Sequence, residues 1–122
     1  AWFLPIPSTL IKQNMNIPFA HLGQVSWKEK DNYLKLDTLA SSNSAQSLRF
    51  DVQGSTHYDF SDFSQFSKVS KKYGSGTIAS DRIRFIMNTT IRDFFDQYLK
   101  QSVSISLNDY KSMYPEIIIK EY

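Results

Sequence analysis

Two short apolar segments that flank a helical pattern constrain the fold of this chain more than any other feature. The first, Ile17–Gln24, is too short for a typical helix and predicts a buried strand. In Lys28–Ala40 the apolar residues recur at helical spacing among charges, which predicts an amphipathic helix. Leu48–Gln53 then alternates apolar and polar residues and stops at Gly54, which predicts a second strand. The order is strand, helix, strand.

A helix that crosses between two consecutive strands makes those strands parallel, so the predicted class is α/β. Parallel sheets are normally covered on both faces and contain more than two strands. We therefore expect an incomplete parallel sheet, the βαβα portion of a larger fold, that needs strands from an upstream segment.

A second helix is predicted over residues 81–100. Ser80 is an N-cap candidate, and Asp81 suits the positive end of the helix dipole. Residues 103–122 give a weaker pattern that Pro115 interrupts. We expect residues 1–102 to belong to the α/β domain and residues 103–122 to be a C-terminal extension.

Composition excludes several classes of function. The 122 residues fit one domain. The absence of cysteine rules out a disulfide framework, a thiolate metal site and a cysteine nucleophile, and two histidines make a histidine-rich metal centre improbable. Fourteen basic residues against twelve acidic ones do not give the strongly basic surface that is typical of nucleic-acid-binding proteins. No cofactor or metal is expected, and the compartment stays open.

His57 is the residue that points most directly to chemistry. It follows the end of the second predicted strand, and in open α/β sheets catalytic groups collect at the carboxyl edge of the strands. A histidine at that edge suits general-base catalysis, because its ordinary pKa lies near neutral pH. The alternative is a histidine that is simply hydrogen-bonded within a loop.

Two segments resemble the platelet-activating-factor acetylhydrolase family of serine-dependent α/β-hydrolases. Val52–Phe63 resembles the family's histidine segment, and Ala1–Pro5 resembles its Ala-Trp-x-x-Pro segment, which follows directly on the catalytic aspartate. The strand start at Ile17–Pro18 also fits. The residues that carry the match in the histidine segment are Gly54, Ser55, His57, Phe60, Asp62 and Phe63.

The resemblance implies that the chain is the C-terminal part of an α/β-hydrolase and that His57 is its catalytic general base. Trp2 would lie beside the catalytic acid and line the acyl pocket, or else pack in the core. Tyr58 would border the substrate pocket. The chain begins at Ala1 in an apolar run, as if in the middle of a domain.

The rest of the catalytic machinery is not in this sequence. No serine occupies the G-x-S-x-G pattern of the nucleophile elbow. In the family the elbow, the oxyanion hole and the catalytic aspartate precede the residue that matches Ala1. By itself the chain is therefore expected to be inactive, since a lone imidazole cannot carry out acyl transfer at an enzyme's rate.

Five further residues are interpreted structurally. Phe60 and Phe63 are expected to pack, and Asp62 is interpreted as a cap or loop anchor because it lies too close to His57 in sequence for the family's acid. Nothing places Asp51 against His57. His21, within an apolar run, is interpreted as a core histidine with its hydrogen bonds satisfied.

Two functions follow as expectations. In the first, an upstream segment or partner chain supplies the serine, and the complete protein hydrolyses phospholipids or small esters with short sn-2 acyl groups. In the second, the chain is a non-catalytic interaction subunit whose sheet edge and apolar helix faces are covered by a partner. A weaker third idea is membrane-surface contact through Lys68, Lys71 and Lys72.

Overall fold

The computed structural model describes residues 3–25, 27, 29–62, 74–101 and 106–122. In this part of the chain the helices are α1 (Ser8–Ile11), α2 (Lys30–Ser42), α3 (Ser80–Leu99) and α4 (Leu107–Met113), with a short 3-10 helix at His57–Phe60. The strands are β1 (Phe19–Gln24), β2 (Ser47–Val52) and β3 (Ile117–Glu121).

The predicted strand–helix–strand unit is present. β1 and β2 pair in parallel, with Phe19 opposite Ser47 and Gln24 opposite Val52, and α2 connects them. All six residues of β2 are buried because it is the central strand of the order β1-β2-β3. The parallel pairing places the carboxyl ends of β1 and β2 at the same edge of the sheet.

The sheet is mixed rather than purely parallel, which corrects the sequence expectation. β3 runs antiparallel to β2, with Val52 opposite Ile117 and Leu48 opposite Glu121. Residues 103–122 are therefore not a mere extension, because their last segment completes the sheet and buries Ile117. The sequence pattern missed this strand because its three consecutive isoleucines do not alternate. The weak alternation over Val103–Leu107 falls largely outside the described residues, and Leu107 itself begins α4 instead of lying in a strand.

The main core forms where α3 and α4 meet the sheet. Phe50 and Val52 of β2 are fully buried and pack in one cluster with Ile83 and Ile86 of α3 and Tyr110 of α4. A second cluster centres on Phe3, Ile11 and Leu36, on the α2 side. The helical periodicity of both predicted helices is thus explained by the faces that they bury.

The helix bounds differ slightly from those predicted. α2 begins and ends two residues later than expected, and α3 begins at Ser80, with Ala79 rather than Ser80 in the N-cap position. Ala79 offers no capping side chain, so the helix start is set by packing and by Asp81 in the first turn.

Candidate functional site

His57 lies where the chain leaves the carboxyl end of β2. The strand ends at Val52, and Gly54 has a φ of 74°, in the left-handed region that glycine adopts without strain. Gly54 turns the chain, and the 3-10 helix then begins at His57. The predicted position at the strand edge is correct, but His57 starts a helical turn instead of lying in an irregular loop, and its side chain is exposed.

A buried carboxylate fixes this turn. Asp59 is only 3% exposed, and its Oδ2 accepts hydrogen bonds from the backbone N–H of Thr56 at 2.8 Å and of Gly76 at 2.7 Å. The Thr56 hydroxyl lies 3.0 Å from the same oxygen. A Cβ at Gly76 would lie 2.0 Å from the carbonyl oxygen of Gly54, so only glycine fits there. Asp59 thus links the 3-10 helix to the segment that precedes α3.

Trp27 supports the imidazole from the β1 side. The rings of Trp27 and His57 meet edge to face, with centroids 5.2 Å apart and planes 88° apart. This geometry places the positive edge of one ring against the negative face of the other. The indole Nε1 of Trp27 is buried and has no hydrogen-bond partner within the described residues. Sequence reasoning did not single out Trp27, although an aromatic residue just past the end of a parallel strand was a usable signal.

An open groove of about 610 Å³ lies on one side of this ring pair. Tyr58 is half exposed and lines it, and its proposed role at the substrate stays a prediction. The Ser55 hydroxyl, also in the groove, donates to the carbonyl oxygen of Val52 at 2.7 Å. The lining residues are Gln24, Trp27, Glu29, Ser55, Thr56, His57, Tyr58 and Gly74.

A smaller and more enclosed cavity of about 240 Å³ lies on the other side. It shares Gln24, Trp27 and His57 with the open groove, so the two spaces meet at the ring pair. Its remaining wall is formed by His21, Leu22, Gly23, Tyr33 and Phe60. We call this space the inner cavity.

His21 forms part of the wall of the inner cavity and differs from its sequence interpretation. It is buried, as expected, with its ring 5.8 Å from that of Phe3 and 6.1 Å from that of Tyr33. Its hydrogen bonds are not satisfied, because Nδ1 has no partner among the described residues. Burial, helped by the positive charge of Arg49, lowers the pKa of His21 to about 4, so the ring is neutral near pH 7.

No carboxylate of the chain forms an ion pair with His57. All twelve aspartates and glutamates lie within the described residues, and none of their ion pairs includes His57. Asp51 pairs with Arg49 at 2.8 Å, which agrees with its sequence interpretation. Asp62 is exposed and borders residues outside the described ranges, so its interpretation as a cap or loop anchor stays a prediction, whereas Asp59 does anchor the turn. Glu29 lines the open groove.

The structure describes only some of the other residues that the sequence singled out. Phe60 packs against the main core, as expected. Trp2, Phe63 and the lysines at 68, 71 and 72 lie outside the described residues, so their proposed roles stay predictions.

Among the described residues, no three His, Asp or Glu side chains come together as a metal-binding group. No helix in the described ranges is long and apolar enough to cross a membrane.

Comparison of the chain with models of protein families, with curated proteins and with solved structures gives no match.

Proposed function

We propose that His57 is the general base of a carboxylic-ester hydrolase similar to the platelet-activating-factor acetylhydrolases, which releases short sn-2 acyl groups from phospholipids. The chain would be the C-terminal part of the catalytic unit, and the nucleophilic serine and the catalytic acid would come from an upstream segment or a partner chain. The observation that carries the proposal is the exposed imidazole at the carboxyl edge of two parallel strands, at the junction of an open groove and an enclosed cavity.

The chemistry assigned to His57 is proton transfer. The imidazole takes the proton of the incoming serine hydroxyl as the serine oxygen attacks the ester carbonyl, and it returns that proton to the leaving alcohol. In the second half of the cycle it takes a proton from water, which attacks the acyl-enzyme, and returns it to the serine. A rigid imidazole favours this double role, and here the Asp59 hydrogen bonds and the Trp27 contact hold the turn and the ring.

The two spaces beside His57 suit the two products. The open groove has room for a bulky leaving group such as a lysophospholipid. The inner cavity, at about 240 Å³, is smaller and more enclosed, which suits a short acyl group.

The test is ester hydrolysis by the native protein that contains this chain. With a phospholipid bearing a short sn-2 acyl group, we expect His57→Ala to lower kcat by about four orders of magnitude or more, as loss of a catalytic base does in serine hydrolases. A fluorophosphonate probe should label one serine, which lies outside this chain, and label it much more slowly in His57→Ala. Asp62→Asn, an exposed change five residues away, is the matched control and should leave the rate within twofold. Full activity in His57→Ala would overturn the assignment.

One observation favours the second candidate, a non-catalytic interaction subunit. Ile91, Phe95 and Leu99 recur every four residues on α3 and are 47%, 50% and 74% exposed, on a face away from the core. Cross-linking of the native assembly decides between the candidates. A partner that covers this face and brings no reactive serine near His57 would favour the interaction subunit.

A further inference from the structure

The side of α3 that faces away from the core is apolar and exposed. We call it the outer face; the helical period places its residues opposite the buried Ile83 and Ile86. Its four large apolar side chains are between 47% and 74% exposed. A contiguous apolar row of this kind marks a contact surface, because soluble proteins rarely leave one open to water. The outer face comprises Phe85, Asn88, Ile91, Arg92, Phe95 and Leu99.

Ring contacts already hold the two phenylalanines of the outer face. Phe95 meets Phe94 edge to face, with ring centroids 5.6 Å apart, and Phe94 lies 4.8 Å from Tyr98 in turn. Phe85 lies 6.2 Å from the ring of the buried Tyr114. Side chains that are held before binding lose little rotamer freedom on binding, which favours association through this face.

The charges at the two ends of the outer face are complementary to each other. At the N-terminal end Arg84 pairs with Asp81 at 2.9 Å, and at the C-terminal end Lys100 pairs with Asp96 at 2.6 Å. Consider a second α3 that runs antiparallel to the first, with the Thr90 residues of both copies at one level. Arg84 of one copy is then level with Asp96 of the other, and Asp81 is within one residue of the level of Lys100. Opposite charges therefore meet at both ends of the pair.

Other arrangements of two copies bring like charges together. In a parallel pair, each charged side chain is level with the same side chain of the other copy. An antiparallel pair shifted by four residues brings Arg84 level with Arg92 in one direction and Arg92 level with its own counterpart in the other. The unshifted pair instead brings Phe85 level with Phe95, and Asn88, whose side-chain oxygen is an acceptor, level with the guanidinium of Arg92. Antiparallel neighbours also place opposite ends of the helix dipole side by side.

We propose that two copies of the protein form a two-fold symmetric dimer through antiparallel contact of their outer faces, with the Thr90 residues at the centre. A helix of twenty residues is about 30 Å long, and one pair of such helices buries less than the roughly 1,600 Å² of a standard interface. The dimer is therefore weak and reversible. No residue of the outer face lines the open groove or the inner cavity, so the dimer does not rest on the proposed function.

Sedimentation equilibrium of the native protein that contains this chain tests the dimer. We expect a monomer–dimer equilibrium with a dissociation constant on the order of 1–100 μM, as for a small interface. Leu99→Ser should weaken it at least about a hundredfold, because a two-fold dimer loses two buried copies of the side chain. Leu34→Ser, on α2 and also well exposed at 62%, is the matched control and should leave the equilibrium unchanged. Circular dichroism checks that both variants keep their helix content.

The order of the charges allows a test of the antiparallel register. One variant reverses the N-terminal pair (Asp81→Lys with Arg84→Glu), and a second reverses the C-terminal pair (Asp96→Lys with Lys100→Glu). Each keeps an opposite-charge pair within its own helix, but alone it brings like charges together at both ends of the dimer. We expect each variant to dimerise about tenfold more weakly than the wild type, and an equimolar mixture to recover the wild-type affinity as a heterodimer. High salt should reduce these differences.

Several outcomes would overturn the inference. These are a monomer at concentrations up to about 1 mM, a dimer that Leu99→Ser leaves intact, and a mixture of the two charge variants that dimerises no better than either alone. A monomer that sediments with phospholipid vesicles, and no longer does so after Leu99→Ser, would assign the outer face to a membrane surface instead. Ester hydrolysis by the same samples is a separate readout. A dimer without hydrolysis rejects only the proposed function, and hydrolysis by a strict monomer rejects only the dimer.

Discussion

The Asp59 carboxylate accepts a 2.7 Å hydrogen bond from the backbone N–H of Gly76, seventeen residues further along the chain. The same oxygen accepts from the N–H of Thr56, one residue before His57. One buried side chain therefore ties the turn that presents the imidazole to the segment that precedes α3.

We expect Asp59→Ala to destabilise the protein by about 2–4 kcal/mol, because it removes a buried carboxylate and leaves two part-buried N–H groups without their acceptor. Urea unfolding followed by circular dichroism measures this loss. The His57 ring proton should also broaden or lose its contacts to Trp27 in NMR spectra. Asp62→Asn serves as the exposed control and should change stability by no more than about 0.5 kcal/mol. Equal effects of the two substitutions would mean that Asp59 does not hold the turn.

The elements with strong periodicity were predictable, and the loops between them were not. β1, α2, β2 and α3 follow from apolar spacing, since each buries one face or both. β3 was missed because its isoleucine run has no strand period, and its pairing with β2 depends on a partner strand distant in sequence. Pairing between strands that are distant in sequence leaves no signal in a local sequence pattern.

The buried ion pair between Arg49 and Asp51 gives a second prediction. Arg49 Nη2 lies 2.8 Å from Asp51 Oδ2, and its Nη1 lies 3.0 Å from Asp37 Oδ1 on α2. Arg49→Ala leaves both carboxylates without their common partner, so we expect a loss of about 3–5 kcal/mol in the free energy of unfolding. Arg84→Ala removes an exposed pair with Asp81 on α3 and should cost under about 1 kcal/mol. A loss for Arg49→Ala as small as that of the control would show that the network is not stabilising.

For the site, the sequence indicated the catalytic candidate but not its surroundings. His57 was recognisable from its place after a strand, yet Trp27, Asp59 and the unpartnered Nδ1 of His21 were not. Asp59 was not singled out, because the burial of a carboxylate within a polar segment is not visible in the local sequence.

The contact between Gly23 and His21 gives a third prediction. Gly23→Ala would place a methyl group 2.5 Å from the imidazole Cε1, and we expect a loss of about 1–3 kcal/mol from this overpacking. The cost should largely vanish in a His21→Ala background, because the ring is then absent. A double-mutant cycle measures the coupling between the two changes. A coupling near zero would place the strain elsewhere.

The lowered pKa of His21 gives a final prediction about stability in acid. The folded chain holds this imidazole neutral down to about pH 4, whereas the unfolded chain takes up the proton near the ordinary value of 6.5. Protons therefore bind preferentially to the unfolded state between these values. Acidification through this window should lower the free energy of unfolding by up to about 3 kcal/mol, and above pH 6.5 this group causes no loss.

His21→Phe removes the titrating group, so its free energy of unfolding should fall less steeply than that of the wild type between pH 6.5 and 4. Tyr33→Phe is the matched control, because it alters a neighbour of the His21 ring. It removes only a phenol whose pKa is raised to about 12, chiefly by burial, so that group does not titrate between pH 4 and 6.5. The free energy of unfolding of Tyr33→Phe should therefore depend on pH as that of the wild type does. Urea titrations at a series of pH values measure the slopes, and identical slopes for wild type and His21→Phe would show that His21 is not held neutral in the folded chain.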